Sequence, residues 1–436
     1  MNDYLSTITP DSFSGIIFGL EGISDSLVIL NGPTGCKYYH SATSDNQMIR
    51  QLALDPLNYQ NNWYFGQPRV PCTYLDNGDY VYGSEDKLRE LLENVRDTLP
   101  FELVSIVNSP GASLIGDDIE GIARSVFGDS KKFVTIETPG FSSDVPHGHE
   151  TAMTELLEQV PPEHGLPVVP GRVNLLGLSL HQRNIMGDVR ELCRMVELCG
   201  GEVGCVLCAG CSVSDIEAIG SAELNVVVYP EYALETARFL EREYGTPYVV
   251  ACPPIGFGAS ERFIRDVCSM LTAPEGGKID PKPALDDVKR ARARAYAFIS
   301  RVNSTSGLPK GVPYAVEGVC SELRSYVEFL TGYMGMLPAS VQVLDVQSNV
   351  WIDELRALLE RYGVSDAMDV PIDESEADIV LGTGNTIAAL RLQDEEFCGI
   401  ETALPSIGYY DVVPKTFMGP NGTLHLVEMV LNALPF

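Results

Sequence analysis

The residues that decide the fold lie near the start of the chain and read SLVILNGPTGCK, residues 26–37. Residues 26–30 form a continuous apolar run, which is typical of a parallel strand buried on both faces. Gly32 and Gly35 then mark a turn, and a helical pattern begins at Cys36. The stretch therefore predicts a strand that turns sharply into a helix, with one cysteine at the turn.

The same pattern repeats along the whole chain, because short apolar runs end in Gly, Pro or Asn and are followed by amphipathic segments of helix length. Strand–helix alternation of this kind is typical of parallel sheets covered by helices, which is an α/β fold. We predict strands at residues 26–30, 103–107, 133–138, 173–178, 203–207, 224–229, 248–251, 314–319, 341–344, 377–381 and 398–402.

Two interruptions divide the chain into three blocks of about four strands each. Residues 142–171 are rich in proline, and residues 272–311 begin with Pro and Gly and then hold a predicted helix. We therefore expect three Rossmann-like domains around a central cleft, each a mostly parallel sheet of four or five strands flanked by helices. The predicted domains are residues 1–165, residues 166–283, and residues 284–436 with the linker helix at their start.

The charge of the chain disfavours several classes of partner. Its 436 residues include 30 Lys and Arg against 60 Asp and Glu, which gives a formal net charge of −30. Such an excess of acid argues against nucleic acids and anionic membranes. No apolar run approaches the ~20 residues that cross a bilayer, and no signal peptide is recognisable, so we expect a cytoplasmic protein. The basic residues 289–294 are expected to form a solvated face that pairs with nearby acids.

The cysteines point to metal ligands or core residues. Eleven cysteines are too few for a disulfide scaffold in a chain of this length. Cys36 would lie beside free backbone N–H groups and the positive end of a helix, which predicts a lowered pKa and a thiolate able to bind iron. Gly32 and Gly35 would let the backbone approach a bulky ligand closely. The alternative is a buried thiol in a tight turn.

Several motifs resemble those of the nitrogenase component 1 proteins. Residues 31–40, NGPTGCKYYH, resemble the cluster-binding loop of that family. The resemblance continues in order along almost the whole chain, at residues 81–88 (VYGSEDKL), 114–119 (LIGDDI), 173–188, 222–227, 244–248, 377–385 and 405–434. The family includes nitrogenase, the scaffolds that assemble its cofactor, dark-operative protochlorophyllide reductase and reductases of nickel tetrapyrroles.

The resemblance implies the catalytic subunit of a two-component reductase. Members of the family take electrons from an ATP-dependent [4Fe-4S] reductase that is similar to the nitrogenase Fe protein. They pass these electrons through an iron–sulfur cluster at a subunit interface to a substrate or a second metallocofactor in the cleft. No Walker A sequence occurs here, so ATP hydrolysis would belong to the partner. Two alternatives stay open: a scaffold or carrier for a metal cluster, and a non-catalytic subunit that pairs with a homologous chain.

The chain departs from the family at the cluster ligands. Family members usually supply three cysteines per subunit, and here only Cys36 stands at such a position, while the third position falls at Pro110. Cys72 is a candidate second ligand. In a symmetric dimer, Cys36 and Cys72 of two subunits would give the four thiolates that a [4Fe-4S] cluster takes. The alternative is that Cys72 is a small packed residue.

The resemblance also argues against dinitrogen reduction. The position of the cysteine that holds the molybdenum cofactor of nitrogenase falls at Tyr229. The third predicted domain has no histidine before His425, so the histidine ligand of that cofactor is missing as well. We therefore expect a nitrogenase-like oxidoreductase that does not reduce dinitrogen.

A second group of thiols lies in the run CVLCAGC, residues 205–211. Its C-x-x-C-x-x-C spacing suits an iron–sulfur cluster or zinc, and loops that follow strands are where α/β sheets bind ligands. Cys208 and Cys211 are therefore candidates for cluster or substrate contact. The alternative is packed thiols, because the run begins on a predicted buried strand. Cys252 and Cys320, which follow other strands, are weaker candidates for holding a metallocofactor or substrate.

Four histidines are of interest. His181 follows a predicted strand and is a weak candidate for proton donation, since the pKa of histidine is near 6.5. The alternative is a hydrogen-bonded structural histidine. His40 lies one helical turn after Cys36 and could hydrogen-bond near a cluster. His147 and His149 fall in the Pro-rich interruption, which we predict to be a flexible linker.

Overall fold

The computed structural model describes residues 10–36, 70–137, 143–273, 275–344, 351–393, 396–403 and 413–434. His40 lies outside these ranges. All the predicted strands are present, and they form three sheets. In chain order the helices and strands are α1 (Ser12–Glu21), β1 (Ser26–Asn31), α2 (Asp79–Tyr82), α3 (Glu85–Thr98), β2 (Leu103–Asn108), α4 (Ile119–Phe127), β3 (Lys132–Ile136), α5 (Val145–Gln159), β4 (Val169–Leu176), α6 (Ile185–Leu198), β5 (Glu202–Val206), α7 (Val213–Glu217), β6 (Ala222–Val227), α8 (Pro230–Tyr244), β7 (Tyr248–Val250), α9 (Phe257–Met270), α10 (Lys282–Ser306), β8 (Pro313–Gly318), α11 (Cys320–Val327), β9 (Leu337–Val343), α12 (Ile352–Tyr362), β10 (Ile379–Thr383), α13 (Gly384–Arg391), β11 (Cys398–Ala403) and α14 (Gly419–Asn432).

The chain divides into two compact units. One unit, called the one-sheet unit here, comprises Pro10–Leu166 and Cys205–Gly220. The other, the two-sheet unit, comprises Pro167–Gly204 and Ser221–Phe436. The division into three domains at residues 165 and 283 stays a prediction.

The one-sheet unit is built on three parallel strands in the order β1-β2-β3. β1 and β2 are buried along their whole length, as their continuous apolar runs predict. Ile29 and Ile106 of these strands pack with Leu88 of α3 and Ile122 of α4 in one apolar core. The outer strand, β3, pairs with a side chain at its free edge. Gln159 donates from Nε2 to the carbonyl oxygen of Thr135 and accepts from its N–H, both at 2.9 Å.

Helix α5 lies in the Pro-rich stretch that the sequence predicts as a linker. Its start is capped by Asp144, whose Oδ1 accepts from the N–H of His147 at 3.1 Å. Pro146 stands in the first turn, where a missing N–H does no harm. α5 packs along α1, and His149 is fully buried. The prediction of a flexible linker around His147 and His149 is therefore wrong.

The two-sheet unit contains four-stranded sheets in the orders β5-β4-β6-β7 and β11-β10-β8-β9. The paired strands β4–β6, β6–β7, β8–β9, β8–β10 and β10–β11 are all parallel. β5 is an edge strand, with Glu202 and Gly204 exposed and Cys205 buried. The strand predicted at residues 203–207 is present, but the prediction that it is buried is wrong, since only one face of β5 is covered.

Helix α10 confirms the predicted linker helix and extends it to 25 residues. The prediction that its basic residues pair with nearby acids is confirmed for three of them, in the pairs Lys289–Asp286 at 3.3 Å, Arg290–Asp287 at 2.9 Å and Arg292–Glu261 at 2.9 Å. Among the described residues, no helix combines the length and the apolar character that a membrane span needs.

Candidate functional site

The structure brings Cys36 and Cys72 to the same end of the first sheet. Cys36 lies in the first helical turn after β1. Cys72 lies in a segment that forms a parallel bridge to Leu30 of β1, and its thiol donates to the carbonyl oxygen of Gly32 at 3.1 Å. The pKa of Tyr80 is raised by burial first, and then by the nearness of both thiols. We call this region, with two thiols from one chain, the thiol site.

The motifs quoted above surround the thiol site. Ser84 of VYGSEDKL donates from its N–H and its hydroxyl to Asp117 of LIGDDI, each at 2.6 Å. Asn31 at the end of β1 donates to Asn108 at the end of β2, at 2.9 Å. Asn31 also accepts from the hydroxyl of Thr73, at 2.9 Å. These polar bridges hold the strand ends and the motif segments in place around the two cysteines.

The two glycines of the Cys36 turn have different surroundings. A Cβ atom on Gly32 would lie 2.6 Å from Oγ of Ser109, so a side chain at Gly32 would collide with its neighbour. Among the described residues, no atom lies within 4 Å of a Cβ built on Gly35.

The predicted lowering of the Cys36 pKa is wrong. Burial raises the pKa of this thiol, and the carboxylate of Asp11 raises it further. Desolvation and a nearby negative charge both disfavour the thiolate, and here they outweigh the helix end. Cys36 is therefore a neutral thiol at neutral pH, and an incoming metal would have to displace its proton.

One chain supplies part of a cluster site. Within the described ranges, no group of three or more His, Cys, Asp or Glu side chains is arranged to hold a metal ion. A [4Fe-4S] cluster takes four thiolates, and the thiol site offers two. Cys36 and Cys72 therefore fit such a cluster only if a second subunit contributes the remaining ligands.

Large apolar side chains are exposed in the segments around the thiol site. Tyr74 is 48 % exposed, Val81 73 %, Tyr82 91 % and Leu114 80 %. Tyr74 follows Cys72 by two residues, and Leu114 lies in the turn after β2. Exposed apolar side chains grouped in this way mark interaction surfaces. We call these four residues the apolar patch.

The second group of thiols, Cys205, Cys208 and Cys211, is brought together but fully enclosed. The three residues are 2 %, 0 % and 3 % exposed. Sγ of Cys211 accepts from the N–H of Cys208 at 3.3 Å. A hydrogen bond with Cys211 and burial raise the pKa of Cys205, and burial raises that of Cys208. Neutral thiols that bond to one another favour packing, and contact of Cys208 and Cys211 with a cluster or substrate stays a prediction.

A cavity of about 40 Å³ lies in the two-sheet unit, where several of its parallel strands end. A water molecule needs about 10–15 Å³ of such space, so the cavity has room for a few waters or for one end of a ligand. We call it the acid cavity. Its polar lining consists of His181, Gln182, Arg183, Asn184, Asp188, Tyr229, Tyr232, Glu322, Tyr326 and Thr402. The structure thus places His181 at a site, together with residues that were not predicted.

Two carboxyl groups face the acid cavity with raised pKa values. Burial raises the pKa of Asp188 to about 7, and burial followed by the nearness of Asp188 raises that of Glu322 to about 8. Asp188 accepts from the hydroxyl of Thr416 at 2.6 Å. Glu322 shows no hydrogen bond in the part of the chain that the structure describes. Glu322 is therefore largely protonated at neutral pH.

The acid cavity also contains unsatisfied polar groups. The hydroxyl oxygens of Tyr326 and Thr402 are buried and have no hydrogen-bond partner among the described residues. An unpaired buried hydroxyl costs about 1–3 kcal/mol, so two in one cavity indicate a water or ligand that completes them. Burial lowers the pKa of His181 to about 4, so this histidine is neutral at pH 7.

The sequence held one signal for these missed residues. Glu322 and Tyr326 are four residues apart directly after β8, so they share a face of α11 at the end of a strand. Asp188 opens α6 after β4 in the same way. Acidic residues at such positions are candidates for a site even without a motif.

Cys252 and Cys320 lie close to a different acid. Burial raises the pKa of each thiol to about 12, and the carboxylate of Glu231 contributes to both shifts. Glu231 accepts from the N–H and the hydroxyl of Ser321, each at 2.7 Å. Neither cysteine is among the residues that line the acid cavity.

Comparisons with curated proteins agree with the motifs. A light-independent protochlorophyllide reductase chain of Synechococcus sp. (strain WH7803) is 30 % identical over 344 residues, which are 73 % of this chain and 61 % of the relative. The nitrogenase molybdenum–iron protein alpha chain of Methanothermobacter thermautotrophicus is 31 % identical over 242 residues, which are 54 % of this chain and 49 % of the relative. The chain thus matches about half to three fifths of the length of these relatives.

A solved structure shares the fold. The structure described as nitrogenase Cp1 at pH 6.5 covers 98 % of this chain and 92 % of its own, with a TM-score of 0.73 at 16 % identity. The predicted α/β fold with three sheets flanked by helices is confirmed. The family model of the nitrogenase component 1 type oxidoreductases matches residues 12–435. The chain therefore belongs to the nitrogenase component 1 type oxidoreductase family, as its motifs predicted.

Proposed function

We propose that this chain is the catalytic, component 1-like subunit of a two-component reductase. It would receive electrons from an ATP-dependent iron–sulfur reductase and reduce a substrate at the acid cavity. The observation that carries this proposal is the pairing of Cys36 and Cys72 at one end of the first sheet. The family supports the class of reaction, because its relatives include a protochlorophyllide reductase chain and a nitrogenase chain.

Cys36 and Cys72 are the residues that would hold an iron–sulfur cluster. Four thiolates from two subunits complete the ligand set of a [4Fe-4S] cluster, which supplies one-electron transfer when bound. Cys72 would have to give up the hydrogen bond from its thiol to Gly32 when it loses its proton.

The apolar patch would contact the second subunit. Its four side chains surround the thiol site, so a subunit that covers them also brings its own cysteines close to Cys36 and Cys72. A homodimer gives four thiolates by two-fold symmetry. A homologous component 1-like chain is the alternative partner, and a sedimentation measurement on the chain alone separates the two.

The acid cavity favours an organic substrate over a metallocofactor. Its lining offers carboxyl, hydroxyl, imidazole, amide and guanidinium groups and no thiol within the described ranges. Reduction of a substrate consumes protons as well as electrons, and the cavity holds acidic groups that are protonated near neutral pH. Tyr229, where the resemblance predicts the position of the cofactor cysteine of nitrogenase, lines this cavity.

The proposal is tested by an anaerobic assay of iron and sulfide, with EPR, on the wild type and on C36A, C72A and C398A. Cys398 is the control, because it is partly exposed like Cys36 but lies on β11. We expect about one [4Fe-4S] cluster for every two chains. C36A and C72A should lose it, and C398A should retain it.

Other outcomes would change the assignment. Protein that stays free of iron after reconstitution contradicts a cluster held by two copies of this chain. Loss of the cluster in C36A but not in C72A would make Cys72 a packed residue. A cluster that no reductase can reduce, but that moves to an acceptor protein, would indicate a carrier, which is the second candidate function.

A further inference from the structure

The acid cavity brings two carboxyl groups from separate helices to one small space. Glu322 and Tyr326 share a face of α11, and Asp188 lies in the first turn of α6. Asp188 is only 5 % exposed and is held by Thr416. The carboxyl of Glu322 lies against Gly318, where a built Cβ would be 2.9 Å from Oε2. Both acids border the same 40 Å³ cavity.

The cation in the lining of the acid cavity, Arg183, is paired with a different carboxylate. Arg183 pairs with Glu401 at 3.7 Å, and the two side chains are 4 % and 14 % exposed. No cation is among the groups that shift the pKa values of Asp188 and Glu322. The other titratable groups near the two acids are His181, Glu191, Tyr229, Glu231, Tyr232 and Tyr326. His181 is neutral at pH 7, so none of these groups supplies a positive charge. The neutral form of each carboxyl is the form that such a cavity stabilises.

The unpaired hydroxyls show where a ligand group fits. Oη of Tyr326 and Oγ1 of Thr402 lack partners among the described residues, although the two side chains are 0 % and 5 % exposed. A group of a few atoms that binds both hydroxyls would lie in the same small cavity as the proton of Glu322. In a structural acid, the carboxyl proton is hydrogen-bonded to another protein group. The carboxyl of Glu322 shows no such bond among the described residues.

We propose that the acid cavity is a proton store, in which Glu322 donates its proton to a substrate group bound at Tyr326 and Thr402 and Asp188 supplies a second proton. This role rests on the proposed function, because the electrons come from the partner reductase. In the reduction of a double bond, two electrons are added and each carboxyl gives one proton. The product carries two new bonds to hydrogen, and two carboxylates remain. Protons from solvent then restore both acids.

The store is tested by infrared spectroscopy of the carboxyl stretch during a pH titration of the metal-free protein. The variants are E322Q, which removes the proton, and E322D, which keeps a carboxyl on a shorter side chain. E241Q on the exposed surface of α8 is the matched control. We expect a protonated-carboxyl band at pH 7 with a midpoint near pH 8. E322Q should lose the component of this band that titrates near pH 8 and keep that of Asp188, whose pKa is about 7. E322D should keep a shifted component, and E241Q should not change the band.

Transfer to D₂O separates a store from a structural acid. The carboxyl proton of a store must exchange with solvent. The protonated-carboxyl band should therefore shift within the dead time of mixing. A band that persists for hours overturns the proposal, and so does an ionised Glu322 at pH 7. These results do not depend on iron, so the infrared measurement can fail while the EPR experiment succeeds. If no reducible cluster forms, the proposed function fails, and the role of the store in reduction fails with it.

Discussion

The thiol site and the acid cavity both lie where parallel strands end, yet they are built in opposite ways. The thiol site has sulfur donors, a half-buried Cys36 and exposed apolar neighbours. The acid cavity has oxygen donors, the buried carboxyl of Asp188, the partly buried carboxyl of Glu322, and hydroxyls without partners among the described residues. The thiol site lacks cluster ligands, which another chain can supply. The acid cavity lacks hydrogen-bond partners for its hydroxyls, which a small molecule can supply. The same position on an α/β sheet can therefore serve assembly or chemistry, depending on which side chains the loops supply.

The largest expected effect concerns the backbone that supports the acid cavity. A Cβ atom on Gly187 would lie 1.7 Å from the backbone oxygen of Lys415, next to the residues that hold Asp188. Because a backbone group cannot move aside as a side chain can, we expect G187A to lower the free energy of unfolding by about 3 kcal/mol. Urea denaturation measures this change. G35A is the control, and equal stabilities of the two variants would contradict the close approach.

The second prediction concerns pH and Glu322. Its pKa is about 8 in the folded protein and near 4.5 as a free side chain, so the folded state binds more protons between these values. Stability from this group is complete at low pH and is lost as the pH rises through 8. We expect E322Q to be more stable than the wild type at pH 9, by about 2 kcal/mol, and to show a flatter pH dependence between pH 5 and 9. Parallel curves of unfolding free energy against pH would contradict a protonated Glu322.

At the thiol site the corresponding glycine substitution should cost less. A Cβ atom on Gly32 would meet Oγ of Ser109 at 2.6 Å and Cβ of Ser109 at 2.7 Å. Ser109 would have to shift, but these close atoms belong to a side chain and not to the backbone. We expect G32A to lower the free energy of unfolding by about 1 kcal/mol. The double variant G32A/S109G should recover most of the loss, since the obstructing side chain is then gone. A loss that persists in the double variant would place the strain in the backbone instead.

The smallest effect should come from charges outside both sites. The Arg290–Asp287 pair is 2.9 Å long, and its side chains are 69 % and 22 % exposed. Water and salt screen such a pair, so R290A should change the free energy of unfolding by less than about 0.5 kcal/mol. Thermal denaturation at low and high salt measures the difference. A change larger than that of G32A would show that α10 depends on this ion pair.

The sheets could be predicted because a buried strand is a short run of apolar residues that are neighbours in the sequence. β1 and β2 are continuous apolar runs, and each predicted strand is present in the structure. Helix α5 could not be predicted in the same way, because prolines in the interior of a helix break it and this stretch is rich in proline. Pro146, however, stands in the first turn, where proline is tolerated. Composition alone does not show whether a proline lies inside a helix or at its start.

The thiol site and the acid cavity also differ in how far the sequence alone predicts them. Cys36 carries a sequence motif, so its position at a strand-to-helix turn could be predicted, although the sign of its pKa shift could not. That sign depends on Asp11, which is 25 residues away in the sequence, and on burial. Asp188, Glu322 and Thr402 come from three distant segments, and no motif predicts a role for any of them, although Asp188 ends the matching stretch 173–188. Only the folded chain brings them to one cavity.

The bond between Gln159 and Thr135 has a consequence for how copies of this protein can associate. The amide of Gln159 occupies both backbone groups of Thr135 at the free edge of β3. An extended segment of another molecule that approached this edge would find those groups already bonded, and it could not continue the sheet there without displacing the amide. The glutamine thus protects the newly folded chain against edge-to-edge aggregation. Productive association is left to surfaces formed by side chains.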